Sequence, residues 1–215
     1  MARPARHLAL LAAAALAVTA CGSKDEGISG GGKVIGRTVT VYSIAPDPSG
    51  AQRDLVDGEK LALSEAHGRA GALSVNFSSL DAGDGSDEQA AAAARRAIND
   101  PQIIAAVADA TPVTVPLFNA AGILQVAPAG DTGLAHDAQA NPSGHPTLAP
   151  PPPAAVPPDF DARFRAAFGR APQPTAKAGY RAMRGIIAAV ANASSGNDRT
   201  LVIAKYLAES PAATR

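Results

Sequence analysis

The chain has a single cysteine, Cys21, no tryptophan, and only three tyrosines and five phenylalanines in 215 residues. One cysteine excludes an intramolecular disulfide. With so few aromatics there is no set of rings on which bases could stack, and the acidic and basic side chains are evenly mixed, with no basic stripe and no block of one sign. Both absences argue against a nucleic-acid partner. No Gly-x-Ser-x-Gly elbow is present and no histidine stands at a recognisable nucleophile site, so the sequence carries no hydrolase signature and reads as a non-enzyme. The longest apolar run, Leu8 to Val18, falls short of the roughly 20 residues that a bilayer-spanning helix needs.

What is present begins at the N-terminus. Arg3 and Arg6 precede the apolar run, which closes on the small residues Thr19 and Ala20 before Cys21. That order predicts a cleaved signal peptide over residues 1–20. The stretch LAVTAC resembles the bacterial lipobox, in which a small residue ahead of the cysteine lets the thiol take lipid before cleavage; an ordinary secretory signal with a chance cysteine is the alternative. Lipid on Cys21 would hold the mature chain on the extracytoplasmic face of the cell membrane. Removal of residues 1–20 takes away two arginines and no acid, leaving 17 basic and 19 acidic side chains.

Residues 21–36, rich in Gly, Ser and charge, read as a flexible tether behind the lipid. Within it GISGGGK (27–33) satisfies most of a phosphate-loop pattern. Val34 stands where a magnesium-binding Ser or Thr is needed, and no strand precedes the motif, so nucleotide binding is not supported.

From residue 39 the periodicity becomes regular. VTVYSI (39–44), LSVNFSSL (73–80), IIAAVA (103–108) and ILQVA (123–127) read as strands, the third buried on both faces. Helices fit between them. Ser49 with Gln52 and Ser86 with Gln89 have the spacing of capping boxes, and Thr111 followed by Pro112 suits the start of a helix that Gly122 ends. Alternation of this kind implies right-handed crossovers and an α/β fold: a doubly wound parallel sheet of about four strands, in order 2-1-3-4, with flanking helices.

Between residues 131 and 158 the prolines multiply, including the run Pro150 to Pro153, and the segment reads as an extended linker. His136, Asp137 and His145 lie in it without helical spacing, and read as solvated side chains more readily than as metal ligands. Beyond it come three helices: a short one with Phe160, Phe164 and Phe168 on one side, one at about 175–192 with Tyr180, Met183, Ile186, Ile187 and Val190 buried, and a last one at about 198–208.

The stretches DLVDGEKLALSEAHGRAGALSVNFSSLDAG (54–83), AAAARRAINDPQIIAAVAD (91–109), VPLFNAAGILQVAPAG (115–130) and FRAAFGRAPQPTAKAGYRAMRGIIAAV (164–190) resemble the branched-chain amino-acid substrate-binding proteins of ABC importers. The resemblance implies the type I periplasmic binding fold. Members of that family have two lobes; here the middle of the chain offers only the segment 131–158, so the resemblance implies a single lobe. Residues 37–130 form its first part, and residues 159–215 return to complete it.

The same resemblance places a ligand outside the carboxyl ends of the strands. Thr111, Ala129, Gly130, Asp131 and Thr132 stand where relatives offer hydroxyls and helix-terminal N–H groups to an amino-acid carboxylate. Ala129 lacks a hydroxyl, and Asp131 repels a carboxylate. Thr111 reads as a plain helix cap and Asp131 with Thr132 as a solvated loop at least as readily as they read as ligand contacts. The implied function is a lipid-anchored binding-type protein, weak or defective towards solutes, with an ABC permease or another envelope protein as partner and no cofactor. The alternative is an interaction or structural lipoprotein of the cell envelope with no small-molecule ligand.

Overall fold

The computed structural model describes residues 32–46, 50–130 and 133–210. Cys21 and the segment 1–20 predicted as a signal peptide, Ser49, Asp131 and Thr132, and all of the GISGGGK motif except Gly32 and Lys33 lie outside the described residues.

Six strands form one sheet: β1 (Thr38–Ala45), β2 (Arg69–Ala70), β3 (Leu73–Asp81), β4 (Ile103–Ala108), β5 (Leu124–Val126) and β6 (Leu148–Ala149), in spatial order β2-β3-β1-β4-β5-β6. The central four are parallel, with Thr38 beside Ser74, Tyr42 beside Ala106, and Ala106 beside Gln125. Taken alone they have the 2-1-3-4 order that the sequence predicts. The helices are α1 (Ala51–Glu65), α2 (Asp87–Ile98), α3 (Thr114–Ala120), α4 (Phe160–Phe168), α5 (Pro174–Asn192) and α6 (Arg199–Glu209).

Strand alternation sorts the core into two layers. Val39 and Val41 of β1 and Val107 of β4 face α1, α4, α5 and α6; Ile44, Ile103 and Ala106 face α2 and α3, whose contribution is mostly alanine around Phe118. Every residue of β4 is buried, as an apolar run covered on both faces requires.

The α1/α5 side is the more specific of the two. A Cβ on Gly58 would stand 2.0 Å from the Ala176 carbonyl oxygen, and one on Gly179 would stand 2.1 Å from that of Leu55. Glycine at both positions lets the two backbones cross in contact. Beside the crossing, Asp54 and Asp57 are buried on α1 and both accept from Arg170, which Asp57 meets at 2.8 Å; Asp54 also takes the Gln173 N–H at 2.6 Å. Arg170 stacks 5.3 Å over the Phe164 ring. Glu59 is wholly buried beneath the same helix, beside Ser43, with no hydrogen-bond partner for either carboxylate oxygen. Loss of hydration raises its pKa to about 8, against smaller opposing effects of Ser43 and Lys60.

Four expectations from the sequence need correction. The sheet has two further strands: β2 forms a small antiparallel hairpin with β3, and at two residues it is too short to show a period. Residues 131–158 are not simply an extended linker. Leu148 and Ala149 pair with β5, and Asn119 of α3 is buried and donates to Asn141 Oδ1 at 3.0 Å and to the His145 carbonyl at 2.7 Å, drawing the segment onto the lobe. The end of the predicted tether is also docked, because Val34 has an apolar side chain to bury: it is 1% exposed, and its N–H donates to the Asn197 carbonyl at 2.7 Å. Finally, Ser86 precedes α2 but its side chain caps nothing, since Gln89 packs against Gly83 instead of reaching back.

Candidate functional site

The carboxyl ends of β1, β3, β4 and β5 meet along one edge of the sheet, where a doubly wound fold places its ligand. There a hollow of about 50 Å³ is lined by Ile44, Pro46, Ala82, Ala108, Asp109 and Thr111, among others. Small-molecule pockets run to roughly 300–1,000 Å³, so this is a dimple.

Its hydroxyls face inward. Thr111 Oγ1 accepts the N–H of Thr114 at 3.1 Å and of Val113 at 3.4 Å, while Thr114 Oγ1 accepts the N–H of Thr111 at 3.1 Å. The pair form a reciprocal cap in which Thr114 does what Glu or Gln does in the usual capping box. Thr114 Oγ1 in turn donates to the Asp109 carbonyl at 2.9 Å, and Gln125 Nε2 donates to that same carbonyl at 2.9 Å and to Thr114 Oγ1 at 3.2 Å. The N–H groups that a carboxylate would need at the start of α3 are therefore already satisfied by Thr111.

Of the residues the sequence singled out, Thr111 is on the lip of the dimple as a helix cap. Ala129 is exposed, and Gly130, at φ +97°, closes a turn by donating to the Ala127 carbonyl at 3.0 Å. The residues that organise the edge are others: Thr114, Gln125 and Asp109. Gln125 had left a trace in the sequence, an amide inside the apolar run ILQVA; it is fully buried and ties β5 to the end of β4.

Acids outnumber bases on this edge. Asp81, Asp84, Asp87, Glu88 and Asp109 are all exposed around it, with Arg96 reaching the Asp81 carbonyl at 3.1 Å. Asp84 accepts the Ser86 N–H at 2.9 Å, and that bond holds its carboxyl below the usual range; Asp109 is pushed up because the protein around it removes part of its hydration, although the residue as a whole is exposed. An approaching carboxylate meets like charge here. A wider open hollow of about 430 Å³ lies beside the start of α1, but Asp54 and Arg170 in its wall are committed to each other. Among the described residues no group of three or more His, Cys, Asp or Glu side chains is placed to hold a metal ion.

No protein-family model matches the sequence and no curated protein matches it. Solved structures do match in shape. An ABC transporter substrate-binding protein from Desulfitobacterium hafniense superposes with a TM-score of 0.61 at 12% identity, over 79% of this chain and 88% of that one. A leucine-binding protein from Thermotoga maritima gives 0.60 at 14% identity, over 78% and 87%. The branched-chain amino acid transporter substrate-binding protein of Streptococcus pneumoniae, solved in complex with isoleucine, gives 0.58 at 11% identity, over 79% and 87%. The parallel 2-1-3-4 core, the helices on both faces and these superpositions agree: the chain has the fold of a lobe of the type I periplasmic binding proteins.

Proposed function

We propose that the chain is a lipid-anchored, extracytoplasmic lobe of the substrate-binding type, held at the cell membrane through Cys21, that takes amino acids or similar solutes weakly. Its signal peptide is residues 1–20, and an ABC permease or another envelope protein is its partner. The fold supports the binding-type reading; the lipobox-like LAVTAC supports the anchor.

The observation that carries the weak affinity is the closed Thr111/Thr114/Gln125 network at the strand ends. A ligand seated there finds no free hydroxyl of this pair and an acidic rim, and on a single lobe it keeps much of its surface in water, whereas good sites bury about 70–90% of the ligand. Calorimetry with leucine, isoleucine and valine should give a dissociation constant in the millimolar range or weaker, about 4 kcal/mol or less of binding free energy. A micromolar constant for the monomer would overturn the proposal. Incorporation of labelled palmitate at Cys21, abolished by Cys21→Ala, tests the anchor separately. The acidic rim also favours a second reading, an envelope interaction protein with no small-molecule ligand, for which heat of binding would be absent with every amino acid.

A further inference from the structure

The opposite edge of the sheet, where the strands begin, differs in charge and in polarity from the edge just described. The described chain enters there. The Lys33 backbone pairs antiparallel with that of Asp198, just ahead of α6, and Val34 is buried beside it. Lys33, Arg37 and Arg69 are exposed on this edge, and Arg37 Nη2 and Arg69 Nη2 each donate to the Ala72 carbonyl at 3.3 Å, which brings the two guanidinium groups together.

The acids nearby are hydrogen-bonded or paired; Asp198 and Asp100 keep their charge, and Lys33, Arg37, Arg69 and Arg199 outnumber them. Asp198 accepts the N–H groups of Thr200 and Leu201, Asp100 accepts the Tyr42 hydroxyl at 3.0 Å, and Glu65 is paired with Arg163 at 3.2 Å. The edge also holds both of the exposed large apolar side chains among the described residues: Ile35, 91% exposed, next to Lys33 and Val34, and Leu201, 38% exposed, in the first turn of α6.

We infer that this edge lies on an anionic lipid surface, with Ile35 dipping into the interface and Lys33, Arg37 and Arg69 meeting the headgroups. The inference rests on the proposed anchor. Ten residues, 22–31, separate Cys21 from Gly32, and even fully drawn out that length reaches no more than about 40 Å. A lipid on Cys21 therefore tethers the chain at this edge, and the charge of the two edges decides which one faces the bilayer. Basic side chains are attracted there by the negative surface potential, and the exposed acids of the far edge are repelled from it. The carboxyl ends of the strands are thereby turned away from the membrane.

The chain has no tryptophan, so a single introduced one reports alone. The Ile35→Trp and Ala51→Trp variants, purified from membranes and placed in vesicles of phosphatidylcholine and phosphatidylglycerol, are compared by quenching with brominated lipid. Ala51 opens α1 at the far edge. Quenching at residue 35 should exceed that at residue 51 at least about threefold, since interfacial side chains sit roughly 5–10 Å into the headgroup and acyl boundary. Pure phosphatidylcholine, or Lys33→Glu, Arg37→Glu and Arg69→Glu together, should remove the difference, with the fold checked by circular dichroism.

Equal quenching at the two positions, or a difference indifferent to the anionic lipid, would overturn the inference, as would binding to native membranes but not to vesicles. Mass analysis shows separately whether Cys21 carries lipid; if it does not, the same comparison on protein added to vesicles decides by the same criterion. There, each basic side chain should contribute about fivefold in partitioning.

Discussion

The two faces of the sheet are built to different standards. The α2/α3 face is assembled from neighbouring stretches of chain and filled with alanine around a single large ring, Phe118. The α1/α5 face joins residues more than a hundred positions apart, and there the contacts are individual: glycines 58 and 179 at a backbone crossing, Arg170 between two buried aspartates, and a buried glutamate. Local pieces find one another through chain connectivity. Distant pieces need features that fit in one arrangement only, and the price is less tolerance of change.

The largest test of that contrast is Gly179→Val, which forces a side chain into the Leu55 carbonyl; overpacking at a rigid backbone contact should lower stability by more than about 3 kcal/mol in chemical denaturation. The comparable insertion in the other layer, Ala94→Val on the buried side of α2, should cost less, about 1–2 kcal/mol, because an alanine-filled layer can give way. A similar loss for both would erase the distinction.

Glu59 sharpens it in the opposite direction. Its folded pKa is raised to about 8 from 4.5, so the folded state retains a proton that the unfolded chain has released. The stability contributed by that proton is fully present below about pH 4.5 and is lost as pH rises towards about 8. Glu59→Gln should flatten that slope and raise the melting temperature at pH 7.5 relative to wild type, by scanning calorimetry across pH 5 to 8. An unchanged slope would mean that the carboxyl is hydrated.

Arg170→Ala leaves Asp54 and Asp57 buried without their shared partner. Because Arg170 is itself 29% exposed, water takes part of the load, and the loss should be about 2 kcal/mol. Smallest is Thr111→Val, which removes a cap from α3: about 1 kcal/mol of stability and no change in solute affinity. A marked loss of amino-acid binding instead would return Thr111 to the role that the family resemblance implies.

Legibility in the sequence followed the range of the interactions. The four central strands and the long helix α5 were readable because period-two and 3.6-residue patterns are local, and their alternation implied a parallel sheet with crossovers. β2 and β6, two residues each, hold their places through the hairpin and through Asn119, neither of which leaves a periodic trace. At the candidate site, Thr111 was legible as a cap from the Thr-Pro pair. Its partner Thr114 was not, since the capping-box pattern names Glu or Gln at that place. Gln125 went unread: an amide inside the apolar run ILQVA is a signal, but its partners are set only by where β4 ends.

The two smallest strands also bear on how the molecule stays separate from its neighbours. An open sheet presents a row of unpaired N–H and carbonyl groups along each margin, a template on which another chain can add. Here both margins are two-residue strands: β2 carries the exposed charge of Arg69, and β6 runs straight into Pro150, whose ring nitrogen has no hydrogen to offer. Beyond β5 little ladder is left to extend; along β3, which β2 covers only at Leu73 and Ser74, the outer side stays open and carries the exposed polar side chains Asn76, Ser79 and Asp81. The segment 133–149 thus works as a selvage, finishing that side of the fabric by covering β5, every residue of which is buried.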